Sequence, residues 1–279
     1  MATGKLLYKI FVNPRGIIGG SILLIFVFIA IFAPYIATHD PYEINAWARY
    51  LRPDLSSENL LGTDRFGRDL FSRIIYGSRI SLVVGVSIML TTSFAATFLG
   101  LVAAYYSRVD NIIMRIIDGM MAFPPLVLAI VLMAMLGPRL SNVIIALTIS
   151  YVPAFTRVVR SNALSIKQFE FVDAARSIGL PSWRIVLKHI LPNCWATIII
   201  MGSLRFGYAV LAEAALSFLG VGIHPEVPSW GTILSAGRDV LRVAPWVSIF
   251  PGIAIFLVVL AINLIGERLR DVLDPLTLT

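Results

Sequence analysis

Residues 171–193 read FVDAARSIGLPSWRIVLKHILPN, a polar island between two long apolar runs. Its skeleton is Asp173-Ala174-Ala175, then Gly179 four residues on, then Leu191-Pro192. Glycine lacks a Cβ and so accepts the left-handed backbone that ends a helix. Pro181 follows and cannot continue that helix. The stretch therefore predicts a short helix, a tight turn at Gly179 and a second helix. Pro192 suits the start of the next membrane helix, because its missing N–H falls among the donors a first turn leaves unpaired. Ala174 and Ala175 are small enough to let another protein's surface approach closely.

Working outward, the composition demands a membrane. The chain of 279 residues is 58% hydrophobic and 14% charged, against about 25% charged in soluble domains. Its net charge of +7 would point to nucleic acid in a soluble protein. Here it reads as the Lys/Arg excess of membrane loops, with no nucleic-acid partner. A single cysteine, Cys194, excludes an internal disulfide and a cysteine zinc cluster. His39, His189 and His224 are too far apart in sequence to form a metal spacing. The first apolar run is too long for a signal peptide and has no Ala-x-Ala site, so it is expected to remain a membrane helix.

Runs near 17–37, 80–106, 112–136, 142–156 (or to 159), 195–219 and 245–266 are apolar enough to cross a bilayer. The expected fold is an all-α integral membrane protein of six transmembrane helices with a cytoplasmic helix-turn-helix loop at 157–193. Lys5, Lys9 and Arg15, with no acid before residue 17, place the N-terminus in the cytoplasm. The island carries six Lys or Arg against Glu170 and Asp173, which places it on the same side. Six spans return the C-terminus there too. Two units are expected: 1–79, a tail, first span and exported segment, and 80–279, a five-helix core.

Several local features have more than one reading. Gly16-x-x-x-Gly20 is a close-packing pattern or chance. The stretch LGTDRFGRDLFSR at 61–73 offers Asp64 and Asp69 to Arg65, Arg68 and Arg73, and by itself reads as a solvated charged turn. Arg115 and Asp118 are three apart and can pair along one helix face. Pro124-Pro125 interrupts the third run, as a packing kink or a gating hinge. Arg205 and Glu213 stand inside the fifth run, where a charge needs a partner or water. They are about two turns apart, too far to pair directly, so each should meet another helix or a water-filled path. Whether Asp118, Arg205 and Glu213 are structural or line a pathway stays open. In the second exported segment, 220–244, an amphipathic re-entrant helix is expected at 232–241, with Trp230 and Trp246 at the lipid–water interface.

The order acid-Ala-Ala, three residues, Gly, nine residues, His-Ile-Leu-Pro resembles the cytoplasmic coupling loop of ABC importer membrane subunits. Asp173 stands where the general pattern has Glu. The form His189-Ile190-Leu191-Pro192-Asn193 looks like the peptide-transport branch. The 61–73 stretch, EAALSFLGVG at 213–222, PSWG at 228–231 and ERLRDVLDP at 267–275 also resemble the dipeptide, oligopeptide and nickel permeases, specifically their second ("C") type of membrane subunit. The resemblance spans roughly 59–275. It implies a second membrane permease subunit, two ATPase subunits and an extracytoplasmic substrate-binding protein, in a bacterial inner membrane. It implies that the ATPase docks on Phe169, Glu170, Phe171, Asp173, Ala174, Ala175, Gly179 and Leu180, with Leu191 and Pro192 closing the loop, and with Phe169, Phe171 or Trp183 as apolar anchors.

No G-x-x-x-x-G-K-[ST] phosphate loop occurs, and the one Gly-Lys pair, Gly4-Lys5, precedes Leu6. ATP and Mg are therefore expected on the partners, with no cofactor and no catalysis on this chain. The favoured cargo is a peptide, with nickel or another small solute as the alternative. A secondary transporter would run on an ion gradient and often shows inverted repeats with acids at mid-membrane; Glu213 and the double proline fit it, the Asp-Ala-Ala loop does not. An intramembrane enzyme would need catalytic His, Ser or paired Asp within spans; Asp118 is the one Asp clearly inside a span, and no His is.

Overall fold

The computed structural model describes residues 13–54 and 56–273. Lys5, Lys9, Asp274 and Pro275, whose side of the membrane was inferred above, lie outside the described residues. Eleven helices follow in order: α1 Pro14–Ile31, α2 Ala33–Ile36, α3 Leu70–Tyr105, α4 Ser107–Met121, α5 Pro125–Leu136, α6 Leu140–Ile166, α7 Glu170–Ser177, α8 Ser182–Ile185, α9 Leu191–Phe218, α10 Trp230–Arg238 and α11 Trp246–Leu273. A π-helical turn, Val186–Ile190, joins α8 to α9.

Five helices are long and apolar enough to cross a membrane, and a sixth crossing exists if α4 and α5 count as one span. These two are bent by 90°, far more than a kink. The cause is local. A residue before proline avoids the helical region, and Pro124 itself lies at φ −55°, ψ 135° with Pro125 as the first helical residue. One helix must end at Met121 and another begin at Pro125. Asp118 therefore sits on α4, before the break, and not within a continuous span.

Three other boundaries differ from the hydropathy reading. α3 is 36 residues long and starts at Leu70, so it runs straight through the expected division at residue 79. Asp69 caps it, its side chain accepting from the Ser72 amide at 2.8 Å. α6 continues to Ile166 with Pro153 inside it, which shortens the polar island by ten residues. The fifth span runs without interruption from Ser182 to Phe218, so Pro192, in the first turn of α9, follows a helical turn and not a loop. The wide π turn directly ahead of it, in which the Leu191 amide bonds back to the Val186 carbonyl, absorbs the missing donor.

α3 lies at the centre, packed against α6 and α9, while α11 joins α9 to the peripheral α1. Only 17% of the α1 window is buried, against 44% for α6, so α1 is a flank and not a core helix. Small residues set the closest approaches. A Cβ on Gly19 would stand 2.7 Å from the Ala261 carbonyl oxygen of α11, and one on Gly85 2.8 Å from Phe206 of α9.

At the end of the bundle where α3 begins, the 61–73 stretch is folded inward rather than solvated. Asp64, Arg68, Asp69 and Arg73 are each at most 6% exposed. The Arg68 Nε donates to Asp64 Oδ2 at 2.7 Å, and Arg73 donates to the Pro41 carbonyl at 2.9 Å while lying 3.8 Å from Asp64. Buried charges need such partners, and the loop 40–51 supplies them by folding over the stretch. Trp230 is likewise fully buried, with its indole N–H donating to the Ile74 carbonyl; it is a core residue and not an interface anchor.

Candidate functional site

The hairpin at the other end of the bundle is built from α7, Gly179 and α8. Gly179 has φ +77°. Its amide bonds to the Arg176 carbonyl and the Leu180 amide to the Ala175 carbonyl, at 2.9 and 3.2 Å. This pair of bonds is the Schellman arrangement, which satisfies two carbonyls a helix end would leave free. Leu180 is half-buried against the same cluster that holds Val172 and Ala175 of α7, Ile185 of α8 and Cys194 of α9. Asp173 pairs with Arg176 at 2.9 Å on the exposed side.

The hairpin is tied to the central helix. The Lys167 ammonium donates to the Ala104 and Tyr105 carbonyls, capping the last turn of α3. The Tyr105 ring lies beneath both Lys167 and Arg176. α7 is thereby in direct contact with the end of α3 through Arg176 and Tyr105.

The predicted hairpin residues divide by face. Phe169, Phe171, Ile178 and Trp183 are exposed, between 41% and 77%, and the two phenylalanine rings lie 5.8 Å apart. Glu170, Asp173, Ala174, Gly179 and Pro192 are also exposed, and Leu191 is half-buried. Ala175 points the other way, into the chain's own core at 4% exposure. Its small side chain serves close packing within the hairpin and is unavailable to an outside surface; Ala174 alone of the pair is open. Ile178, Leu187, Lys167 and Tyr105 were not singled out in the sequence, because nothing local marks an exposed isoleucine or a capping lysine.

The three remaining candidates fall in different places. Asp118 pairs with Arg157 of α6, not with Arg115, and both side chains are about half exposed. Its neighbour pair, Asp110 with Arg160, is bidentate and more buried. Arg205 is half-buried, its guanidinium 5.3 Å from the centre of the Tyr151 ring and 5.9 Å from that of Tyr208, a stacked cation with no carboxylate partner among the described residues. Glu213 is 1% exposed. Its Oε1 accepts from Ser217 and Ser229, both at 2.9 Å. Ser229 is the N-cap of α10 and forms a capping box with Thr232. The acid of α9 thus seats α10 against α9. Helix α10 begins at Trp230, two residues before the start expected at 232, because Ser229 caps it.

With this geometry in hand, comparison with known proteins is decisive. Residues 96–278 match the family model for the binding-protein-dependent transport system inner membrane component, and residues 6–53 match the N-terminal transmembrane domain of oligopeptide transport permease C. The chain belongs to this permease family. A putative peptide transport system permease protein of Brucella suis is 48% identical to the permease over 92% of this chain and 86% of the relative. The dipeptide transport permease DppC of Alkalihalophilus pseudofirmus is 47% identical over 94% and 86%. The glutathione transport permease GsiD of Pectobacterium atrosepticum is 44% identical over 92% and 85%. A chain in a solved structure of the inward-facing MetNI methionine ABC transporter has 20% identity and a TM-score of 0.48, over 70% of the permease and 96% of that chain. The permease is accordingly an all-helical, multi-pass membrane subunit of an ABC importer.

Proposed function

We propose that the permease forms half of a translocation pathway for di- or oligopeptides, in the bacterial inner membrane with both termini cytoplasmic. An extracytoplasmic binding protein delivers the peptide, and a second membrane subunit completes the pathway. Two cytoplasmic ATPases carry ATP and Mg, and one of them grips the α7–α8 hairpin. The observation that carries this reading is the hairpin itself: an apolar, aromatic face outside the bundle, on a helix locked by the Gly179 turn and joined to α3 through Lys167. Phe169, Phe171, Ile178 and Trp183 are the anchors, Ala174 gives close approach, and Glu170 and Asp173 supply charge at the edge. ATP-driven closure of the ATPase pair pushes α7, and α3 carries that motion to the far end of the bundle.

The peptide assignment is supported by the names of the relatives, which include peptide, dipeptide and glutathione transport. Glutathione is itself a peptide, so these names agree in chemical class. The test is purification of the tagged permease from its native membrane with mass spectrometry of what accompanies it, followed by uptake of a labelled dipeptide in cells with and without the chain. The expected result is recovery of a second permease, ATPases and a binding protein, with ATP-dependent uptake that needs the chain. Recovery of the chain alone as a stable homo-oligomer, or uptake that follows an ion gradient and ignores ATP, would overturn the proposal. ATP-dependent uptake of nickel but not of peptides would keep the importer and replace its cargo.

A further inference from the structure

A groove of about 460 Å³ runs between α1 and α3 on the outer surface of the bundle. Val27, Ala30 and Ile31 line it from α1, and Leu82, Val83, Val86 and Ser87 from α3, with Arg79 at one end. The two helices run in opposite senses, so Arg79 and Ile31 mark the end nearest α10, and Ser87 and Val27 the deeper end. From Arg79 to Ser87 is eight residues, about 12 Å along a helix axis. One leaflet of a hydrocarbon core is about 15 Å deep. The groove therefore has the length of one leaflet, begins at a charge and is apolar below it.

That charge is what separates this groove from its neighbours. Arg79 is exposed and, among the described residues, has no carboxylate within ion-pair distance; its guanidinium lies 5.9 Å from the centre of the Tyr76 ring, one turn nearer the helix start. Two other apolar grooves, one along Leu24, Ile25 and Phe28 of α1 and one along Leu211, Gly252 and Phe256 between α9 and α11, have no charged residue in their lining. A guanidinium is weakly hydrated and presents a fork of donors that fits two phosphate oxygens. Its stem can lie along apolar surface while the head stays at the polar boundary. Tyrosine belongs at the same level.

We infer that this groove binds one phospholipid of the leaflet opposite the α7–α8 hairpin, with its phosphodiester on Arg79 and one acyl chain along Val83, Val86 and Val27. Val83 is 50% and Val86 42% exposed on α3, and Val27 38% on α1, so the acyl chain finds open apolar surface on both walls. The lipid bridges α1, the least buried span, to the central helix α3. This inference needs only that the chain spans a membrane and stands apart from the cargo and ATPase assignments.

The test uses the whole purified importer in nanodiscs of equimolar phosphatidylglycerol and phosphatidylethanolamine, a fraction of the phosphatidylglycerol carrying a diazirine on its acyl chain. After irradiation, peptide mapping compares labelling at Val83 and Val86 with labelling at Phe256, an exposed control in a groove without charge. The expected result is labelling at Val83 and Val86 well above Phe256. It should fall about tenfold in Arg79→Gln, the loss expected for one hydrogen-bonded charge, and return in part in Arg79→Lys. Phe256 labelling should not change. Should Arg79→Gln fail to assemble, Val83→Trp fills the groove without touching the charge and should abolish labelling at Val86. Equal labelling of groove and control would overturn the inference, as would labelling that ignores Arg79. So would a Ser87→Cys thiol, with Cys194 buried and silent, that cross-links to the second permease subunit instead of meeting lipid.

Discussion

Replacing Gly179 separates backbone geometry from side-chain bulk at the α7–α8 hairpin. Its φ of +77° is a left-handed conformation, and a Cβ added there would meet nothing within 4 Å. The cost of an L-residue is therefore conformational only, about 1–2 kcal/mol. That shifts the ratio of intact to frayed turn by roughly 5- to 30-fold. Asparagine tolerates the left-handed region, alanine less so, and β-branched valine least. In proteoliposomes of the complete importer, peptide transported per ATP hydrolysed should fall in the order Gly179, Asn, Ala, Val. The amount of assembled permease should stay constant, because residue 179 packs on nothing. A Gly179→Val permease with the parental ratio would refute the reasoning. Gly179→Asn failing as badly as Gly179→Val would refute it differently, by showing that bulk in the docking face matters and backbone conformation does not.

Three further outcomes follow from other contacts. Glu213→Ala leaves the Ser217 and Ser229 hydroxyls without their acceptor, a loss of roughly 1–3 kcal/mol that should appear as a lower melting temperature in nanodiscs and faster proteolysis near α10; Glu213→Gln keeps an acceptor and should remain close to parental. Gly67→Ala forces a Cβ into the Asn45 carbonyl at a backbone of φ +73°, so the variant should fail to accumulate in membranes, as read by immunoblot. Asp118→Asn breaks a half-exposed pair and should change stability by less than about 1 kcal/mol, whereas Asp110→Asn removes the bidentate partner of the more buried Arg160 and should cost clearly more in the same melting assay.

The spans were readable because each is a long apolar run, a signal that survives any detail of packing. The hairpin turn was readable for an equally local reason: Gly179 and Pro181 permit and forbid conformations by their own covalent structure. What escaped were facts settled by distant residues. Trp230 looks like an interface residue until Ile74, far away in the chain, accepts its N–H. Arg68 and Arg73 look solvated until the loop at 40–51 folds over them. One of the two partners of Glu213, Ser229, lies sixteen residues away across a turn. In the α7–α8 hairpin, the residue types were legible, but the inward direction of Ala175 was set by how α7 rolls onto Ile185 and Cys194. At Pro124-Pro125 the interruption was visible, and its angle of 90° was not.

The π turn at Val186–Ile190 has a consequence for how this chain can vary. A π turn holds one residue more than the α-helical turn it replaces. Deleting a single residue there would let the helix close into an unbroken α register with the span beyond it unaltered. Because the π turn closes one revolution with that extra residue, the segment before the deletion would keep nearly its present facing. Trp183 would stay on the exposed face it now presents. A second deletion has no surplus residue to remove and would turn that segment by about 100°, the angle per residue of an α-helix. Among related chains, a one-residue shortening between Val186 and Ile190 should therefore be tolerated where a two-residue shortening is not.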